Sequence, residues 1–456
     1  MRNYPEIIMS VVTVQLGQCG NQVGGEFFHT IVNDIRGNSS LPGVTSKQYE
    51  DYVQTSTERF FHKRDDDSNT LEARSVLVDM EQKVITQTLS SARRSGSWTY
   101  PNKQQFCQKR GSGNNWAHGF CTHGPRSKEP VLNMVRREVE KCDNFGGFLM
   151  LMSLAGGTGS GLGTYLTQCL RDEYPHAFML NQVVWPYRMG EVVVQNYNAV
   201  LTMAHLYQSA DAILIMQNDD LQRICTRLLG LKNVSFSDIN KVIAHNLSAV
   251  LQPCYSSLRK ADWEQVNPCH LGDLLEHLAP HPAYKLLTLR NIPQMAESSI
   301  KFSKFQWHGL LKHLHQMLVA QAPMEEGIDW QIHPSTSGNN FNKSLSSLLV
   351  LRGQELMEAD DAAFQDARLF TSWAPPPMSY TAWAHPKPLG NYEKSAALLS
   401  NCQTPVCPLD HLVGRAWEMF ASRAYVHHYL KHGLTEENFV DCFAALEQVI
   451  HSYKHL

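Results

Sequence analysis

Five glycines, at 156, 157, 159, 161 and 163, follow directly on the apolar run Phe148 to Leu154, with Thr158 and Ser160 set among them. Glycine lets the backbone turn through positive φ and lets its N–H groups approach an anion that a Cβ would hold away. The chemistry this pattern suits is phosphate binding by main-chain amides. Tyr165, Leu166, Cys169 and Leu170 continue at helical spacing, so the loop opens a helix whose N-terminus also favours an anion. The dipole alone contributes ~0.3 to 1 kcal/mol per charge, so several converging donors must supply the grip. Two common phosphate loops are excluded. A Walker loop needs Gly-Lys followed by Ser or Thr, and no lysine occurs between Lys141 and Lys232. The dinucleotide fingerprint needs a glycine at its sixth place, where this sequence has Leu162 or Thr164.

Other polar groups fall where a bound nucleotide could use them. GQCGNQ at 17 to 22 follows an apolar strand and opens a helix with Val23, Phe27 and Ile31 on one face. Asp79-Met80-Glu81 ends a second strand, and alternation sends both carboxylates to one side. GSGNNWA at 111 to 117 sits in a connection, while Trp185-Pro186 leads to Glu191, Gln195 and Asn196-Tyr197-Asn198. Metal binding has weaker support. Cys402 and Cys407 lack partners at zinc spacing, Pro280 interrupts the helix that would pair His277 with His281, and the adjacent His427 and His428 point to different faces.

The elements that must position these groups alternate in the manner of a parallel sheet. Strands are expected at Val11 to Leu16, Ser75 to Asp79, Gly147 to Leu154, Met179 to Val184 and Ala212 to Met216. Helices are expected near 20 to 33, 81 to 92, 128 to 142, 160 to 173 and 192 to 208. This is a doubly wound α/β fold, and such sheets bind ligands at the carboxyl ends of their strands. The polar motifs collect there. A long helix is expected from Ser237 to Leu251 by its 3.6-residue period, and a last helix near 436 to 453. The stretches 36 to 48 and 333 to 345 read as surface loops. The division expected is 1–218 for nucleotide binding, 219–264 for a core helix and linker, 265–392 for an α+β intermediate domain, and 393–456 for a C-terminal helical pair.

Composition narrows the class. A chain of 456 residues can form two or three well-buried domains. Its net charge is -3 and its charged fraction 18%, below the roughly 25% usual for soluble proteins, which suggests surface covered by partners. No long block of Lys and Arg occurs, so nucleic acid is not the expected ligand. No apolar run approaches the ~18 residues of a membrane span, and Glu6 and Gln15 interrupt the N-terminal run that could pass for a signal sequence. Eleven scattered cysteines, none paired as CxxC, suit a reduced cytosolic or nuclear protein.

GQCGNQ at 17 to 22, GSGNNWA at 111 to 117, AGGTGSGLG at 155 to 163 and AWEMFASRAYVHHY at 416 to 429 together resemble the tubulin family, in order and across almost the whole chain. Ala155 replaces the first glycine of the family's GGGTGSG signature. Within the family, LVDMEQKV, NQVVWPYRMGEVVVQNYN and MEEGIDW look most like the delta branch. The resemblance implies a GTP-binding structural protein of microtubules, working with magnesium and with other tubulins, either alpha/beta or another centriolar member. For the delta branch it implies triplet microtubules of centrioles and basal bodies, hence cilia, in the cytoplasm, with the nucleus as a further location. A soluble GTP-dependent regulator that caps or sequesters tubulin subunits is the alternative, and the absent fingerprint disfavours a nicotinamide-dependent oxidoreductase.

Carried over by motif, the resemblance places Gln18 and Cys19 on the nucleotide, Glu81 near its magnesium and Asn115 near the γ-phosphate. Ser153 and Ala155, Gly156, Gly157, Thr158, Gly159 and Ser160 hold the phosphates. Glu191 falls near the ribose, Asn218 and Asn240 read the guanine edge, and Phe236 stacks on the base in place of a tyrosine. Gln195 stands where many tubulins carry glutamate. Asp273, seven residues before Pro280, matches the carboxylate that helps position the attacking water on the next subunit's nucleotide, which implies an assembly-coupled GTPase. Its plainer reading is a helix cap, and the loop before it lacks the usual Asn-x-Asp. HSYKHL at 451 to 456 replaces the acidic tail of alpha and beta tubulins, so motors that need that tail are not expected to engage.

Overall fold

Along the first strand, Val12, Val14 and Leu16 enter one apolar core and Val11 enters another, because successive side chains leave a strand on opposite faces. A strand buried at all seven positions needs helices on both sides. The computed structural model describes residues 8–37, 44–63, 70–108, 111–190, 192–256, 268–334 and 341–456. Its strands are β1 (Ser10–Leu16), β2 (Phe61–Lys63), β3 (Leu71–Ala73), β4 (Ser75–Asp79), β5 (Trp98–Thr99), β6 (Gln105–Cys107), β7 (Phe145–Ser153), β8 (Met179–Trp185), β9 (Ala212–Gln217), β10 (Leu286–Ile292), β11 (Ser344–Gly353), β12 (Tyr380–His385) and β13 (Lys394–Cys402). Ten of them form one sheet in the order β12-β11-β13-β10-β9-β8-β7-β1-β4-β6, and β2, β3 and β5 form a small second sheet.

From β6 to β10 every pairing in the large sheet is parallel, and β13 then pairs antiparallel with both β10 and β11. The helices are α1 (Gly17–Ile35), α2 (Ser46–Phe60), α3 (Gln82–Arg94), α4 (Gly124–Val139), α5 (Gly163–Glu173), α6 (Gln195–Ser209), α7 (Asn218–Arg223), α8 (Phe236–Leu251), α9 (Leu271–Leu278), α10 (Glu297–Ile300), α11 (Trp307–Val319), α12 (Pro376–Ser379), α13 (Val406–Ala421), α14 (His427–Leu430) and α15 (Glu436–Lys454). One core lies between the sheet and α4, α5, α6, α13 and α15, a second lies under α1, α8 and α9, and a third packs α11 against β10, β11 and β13. No helix among the described residues is long and apolar enough to cross a membrane.

All five expected strands and the helices near 20 to 33, 81 to 92 and 192 to 208 are present, with ends shifted by a few residues. Of the loop expected at 36 to 48, residues 38–43 lie outside the described residues, and its end belongs to α2, which begins at Ser46 with a capping box between Thr45 and Gln48. The buried side of α2 sets Thr55, Ser56, Thr57 and Arg59 among Tyr52 and Phe60, so its apolar stripe is broken by polar residues and is hard to recognise as a helix. Of the loop expected at 333 to 345, residues 335–340 lie outside the described residues, and Ser344 and Leu345 belong to β11. Strand β10 adds to β9 in parallel, Leu287 beside Leu214, and β13, within 393–456, lies between β10 and β11.

Candidate functional site

The chain leaves β1 toward β4 on one side and β7 on the other, so the switch point of the sheet lies at the carboxyl ends of β1 and β7. There Ser153 ends β7, and its hydroxyl accepts the Ala155 N–H at 3.3 Å. The next residues bend through a π-helical turn, Thr158–Leu162, into α5. Gly161 and Leu162 donate back to the Gly157 carbonyl at 3.0 and 3.3 Å. The N–H groups of Gly156, Gly157, Thr158, Gly159 and Ser160 have no acceptor among the described residues. Five unpaired amides in one turn form a concave donor surface that fits a polyphosphate. Buried amides elsewhere in proteins are nearly always paired.

Close backbone approach explains two of the glycines. Gly17, at φ +72°, turns β1 into α1, and a Cβ there would lie 2.7 Å from the Gly159 nitrogen. At Gly157 a Cβ would lie 2.7 Å from the Asn115 nitrogen, the Asn115 oxygen and the Ser112 Cβ. GQCGNQ, GSGNNWA and the glycine loop therefore meet main chain to main chain. The Ser112 and Thr158 hydroxyls join the last two at 3.0 Å, and Ser160 closes its own turn by donating to the Gly156 carbonyl.

Asn115 reaches the loop mainly through its backbone. Its amide nitrogen donates to the His428 carbonyl at 3.1 Å, and its side-chain oxygen accepts the His118 N–H at 3.0 Å. The neighbouring Asn114, exposed and in the left-handed region at φ 52°, has its side-chain oxygen nearer Gly156. Beneath both loops lies Asn198, fully buried. Its amide donates to the Asn114 and Ala155 carbonyls at 2.8 and 2.7 Å, and its oxygen accepts from the Trp116 N–H and the Tyr429 hydroxyl at 3.0 and 2.6 Å. Its place in Asn196-Tyr197-Asn198 is visible in the sequence, but those partners are not.

The two carboxylates differ in setting. Asp79 ends β4 almost fully buried; one oxygen accepts the Glu81 N–H at 3.3 Å and the other has no partner. Burial pushes its carboxyl up to about 6, as expected for a charge with one unsatisfied oxygen. Glu81 is exposed and faces Gly111. Beside them Asn21 donates to the Gly17 and Val78 carbonyls at 2.8 and 3.1 Å, fixing the start of α1 to β4. No third His, Cys, Asp or Glu among the described residues completes a metal cluster here. Two carboxylates suit magnesium, which keeps several waters and takes other ligands from phosphates.

At the start of α1, Gln18 is exposed and Cys19 half-buried, its thiol pushed up to about 12 by desolvation. Phe236 opens α8 with 62% of its surface exposed, 6.5 Å from the Tyr187 ring. Asn218 opens α7, which packs on α8, and Asn240 lies one helical turn beyond Phe236. Neither asparagine side chain bonds to any described residue. Gln195 is turned inward onto the Tyr187 carbonyl at 2.8 Å, and Glu191 lies outside the described residues. Asp273 is elsewhere. It is exposed on α9 and accepts the His270 N–H at 2.7 Å, the helix-cap arrangement. Its neighbour Gly272 abuts Phe178, which precedes β8, so Asp273 sits at the amino ends of the strands. Spanning β7, nine residues long, the separation from the glycine loop is about 27 Å.

Comparison with known proteins agrees with this geometry. The profile of the Tubulin/FtsZ family, GTPase domain, matches residues 10–226. The tubulin delta chains of Homo sapiens and Canis lupus familiaris are each 50% identical over 460 residues, covering 98% of this chain and 100% of theirs. More distantly, the tubulin beta-1 chain of Hypocrea rufa is 30% identical, covering 97% of this chain and 94% of its own.

Proposed function

The chain belongs to the tubulin family and is a GTP-binding protein of the cytoskeleton, and we propose that it acts as a delta-type subunit in the triplet microtubules of centrioles and basal bodies. The observation that carries nucleotide binding is the row of five unpaired amides at the sheet's switch point. Gly156 to Ser160 would hold the phosphates, and Asp79 and Glu81 the magnesium, whose charge would neutralise the phosphate oxygens. Asn218 and Asn240, with free amides, would read the guanine edge against the Phe236 ring. Gln18 and Cys19 line the same side, and Glu191 is assigned to the ribose by its place in the motif. The partners are other tubulins, and centrioles, cilia and the nucleus are the proposed locations.

Purified protein is expected to retain GTP or GDP, released on chelation of magnesium and identified by chromatography; a folded protein that takes up no guanine nucleotide would overturn the assignment. Asp273 can serve only a nucleotide on a neighbouring molecule, given its distance from this chain's own loop. Its bond to the helix cap favours a second reading, a subunit that caps tubulin ends without completing the neighbour's hydrolytic site. Co-sedimentation separates the two, since a lattice subunit pellets along the length of alpha/beta polymers and a capping protein saturates at their ends.

A further inference from the structure

The segment 424–432, between the two long C-terminal helices, makes four contacts with the 111–117 loop and the turns beside it: one to Asn115 in the loop itself, one to His118 just after it, and two to Tyr197 and Asn198 at the start of α6. The Ala424 carbonyl accepts the Tyr197 hydroxyl at 2.9 Å, the His428 carbonyl accepts the Asn115 amide at 3.1 Å, the Tyr429 hydroxyl donates to Asn198 at 2.6 Å, and the His432 ring stacks on His118 at 4.4 Å. Asn198 is the junction. A primary amide has two donors and an oxygen with two lone pairs, and here all four are used, by the loop at 111–117, by the glycine loop and by the C-terminal segment. Because the donors and acceptors of those partners are fixed, the orientation of the amide is fixed too. Because the amide is fully buried, the junction transmits displacement of any one partner to the other two.

We infer that Asn198 and Tyr429 are positioning residues for the bound nucleotide: through one buried amide, the C-terminal segment sets the spacing of the two loops that face the phosphates. The inference rests on the guanine-nucleotide reading above and adds that the grip depends on a part of the chain that never touches the ligand. Tyr429 keeps its ring packed against Tyr197 and Phe439 at 5.5 and 5.4 Å whether or not the hydroxyl is present. Tyr429→Phe therefore removes the bond to Asn198 and, beside it, only a longer contact of 3.4 Å from the hydroxyl to the Val194 carbonyl.

The test uses the full chain with a fluorescent, non-hydrolysable GTP analogue and the matching GDP analogue. In Tyr429→Phe, affinity for the GTP analogue is expected to fall about three- to tenfold, the effect of one buried hydrogen bond. Affinity for the GDP analogue should fall less, because the 111–117 loop is assigned to the γ-phosphate. In an Asn198→Ala background the same change should have no further effect, since the two residues act through one contact. Unchanged binding of both analogues beside a binding wild type overturns the coupling alone, as does an equal loss for both or an additive loss in the double variant. If Asn198→Ala does not fold, the Tyr429→Phe ratio decides by itself. A wild-type protein that binds neither analogue overturns the nucleotide reading as well.

Discussion

At the scale of single residues, the glycines are decided by neighbouring backbone. Gly157→Ala would drive a methyl group against Asn115 and Ser112 main-chain and Cβ atoms, so the two loops must separate. Guanine-nucleotide affinity, measured by titration calorimetry, is expected to fall at least about tenfold, equivalent to ~1.4 kcal/mol, while the sheet's circular dichroism stays unchanged. The glycine loop was legible in the sequence because its function is carried by the main chain, and glycine spacing reports main-chain conformation directly. The importance of Asn198 was not legible. Its four partners come from 114, 116, 155 and 429, and no local pattern encodes a meeting of that kind. Asn115 shows the opposite limit: its motif was recognisable, but its side chain is engaged by His428 and His118, and Asn114 is the one closer to the loop's Gly156.

At the scale of elements, the carboxylate of α9 has one role on view and a second proposed. Asp273 caps the helix through the His270 N–H, and removing such a cap costs ~0.5 to 2 kcal/mol. Asp273→Asn keeps an acceptor and loses the charge, so its thermal midpoint should match that of the wild type, whereas Asp273→Ala should melt lower. If the carboxylate also serves a neighbour's nucleotide, both variants reduce GTP turnover in mixed alpha/beta assemblies by ~10²- to 10⁴-fold. Unaltered turnover in Asp273→Asn would leave only the cap. Elements with an apolar period, such as α8 and α15, were readable from spacing. Helix α2 was not, because beside Tyr52 and Phe60 it buries hydroxyls and an arginine: Arg59 donates to the Leu251 and Cys269 carbonyls at 2.8 Å each, and that arrangement exists only after the chain has folded.

At the scale of the whole molecule, the parallel sheet of the nucleotide half and the mixed strands beyond it are fused through β9 and β10, and a buried polar cluster joins the halves a second time. Lys387 pairs with Asp34 at 2.6 Å with both side chains 4% exposed, and Tyr52 donates to the same carboxylate at 2.6 Å. Lys387→Met would leave Asp34 charged and unpaired, with an expected loss of ~3 to 5 kcal/mol in denaturant unfolding; adding Asp34→Asn should recover much of it. Nearby, burial pushes His245 down to about 4. A histidine held neutral in the fold contributes full stability above its unfolded value of about 6.5 and loses it as pH falls toward 4. Unfolding free energy should therefore decline by on the order of 3 kcal/mol across that window, and His245→Leu should flatten the decline.

The glycine loop and Asp273 occupy opposite poles of the same strands, so in the proposed reading one molecule would hold the fuel at one end and the spark at the other. Lined up head to tail, such molecules would form a row with a direction, bare nucleotide showing at one terminus and bare carboxylate at the other. Hydrolysis in that row would start only when the next member arrives, and the nucleotide state of each position would record how long ago it was covered.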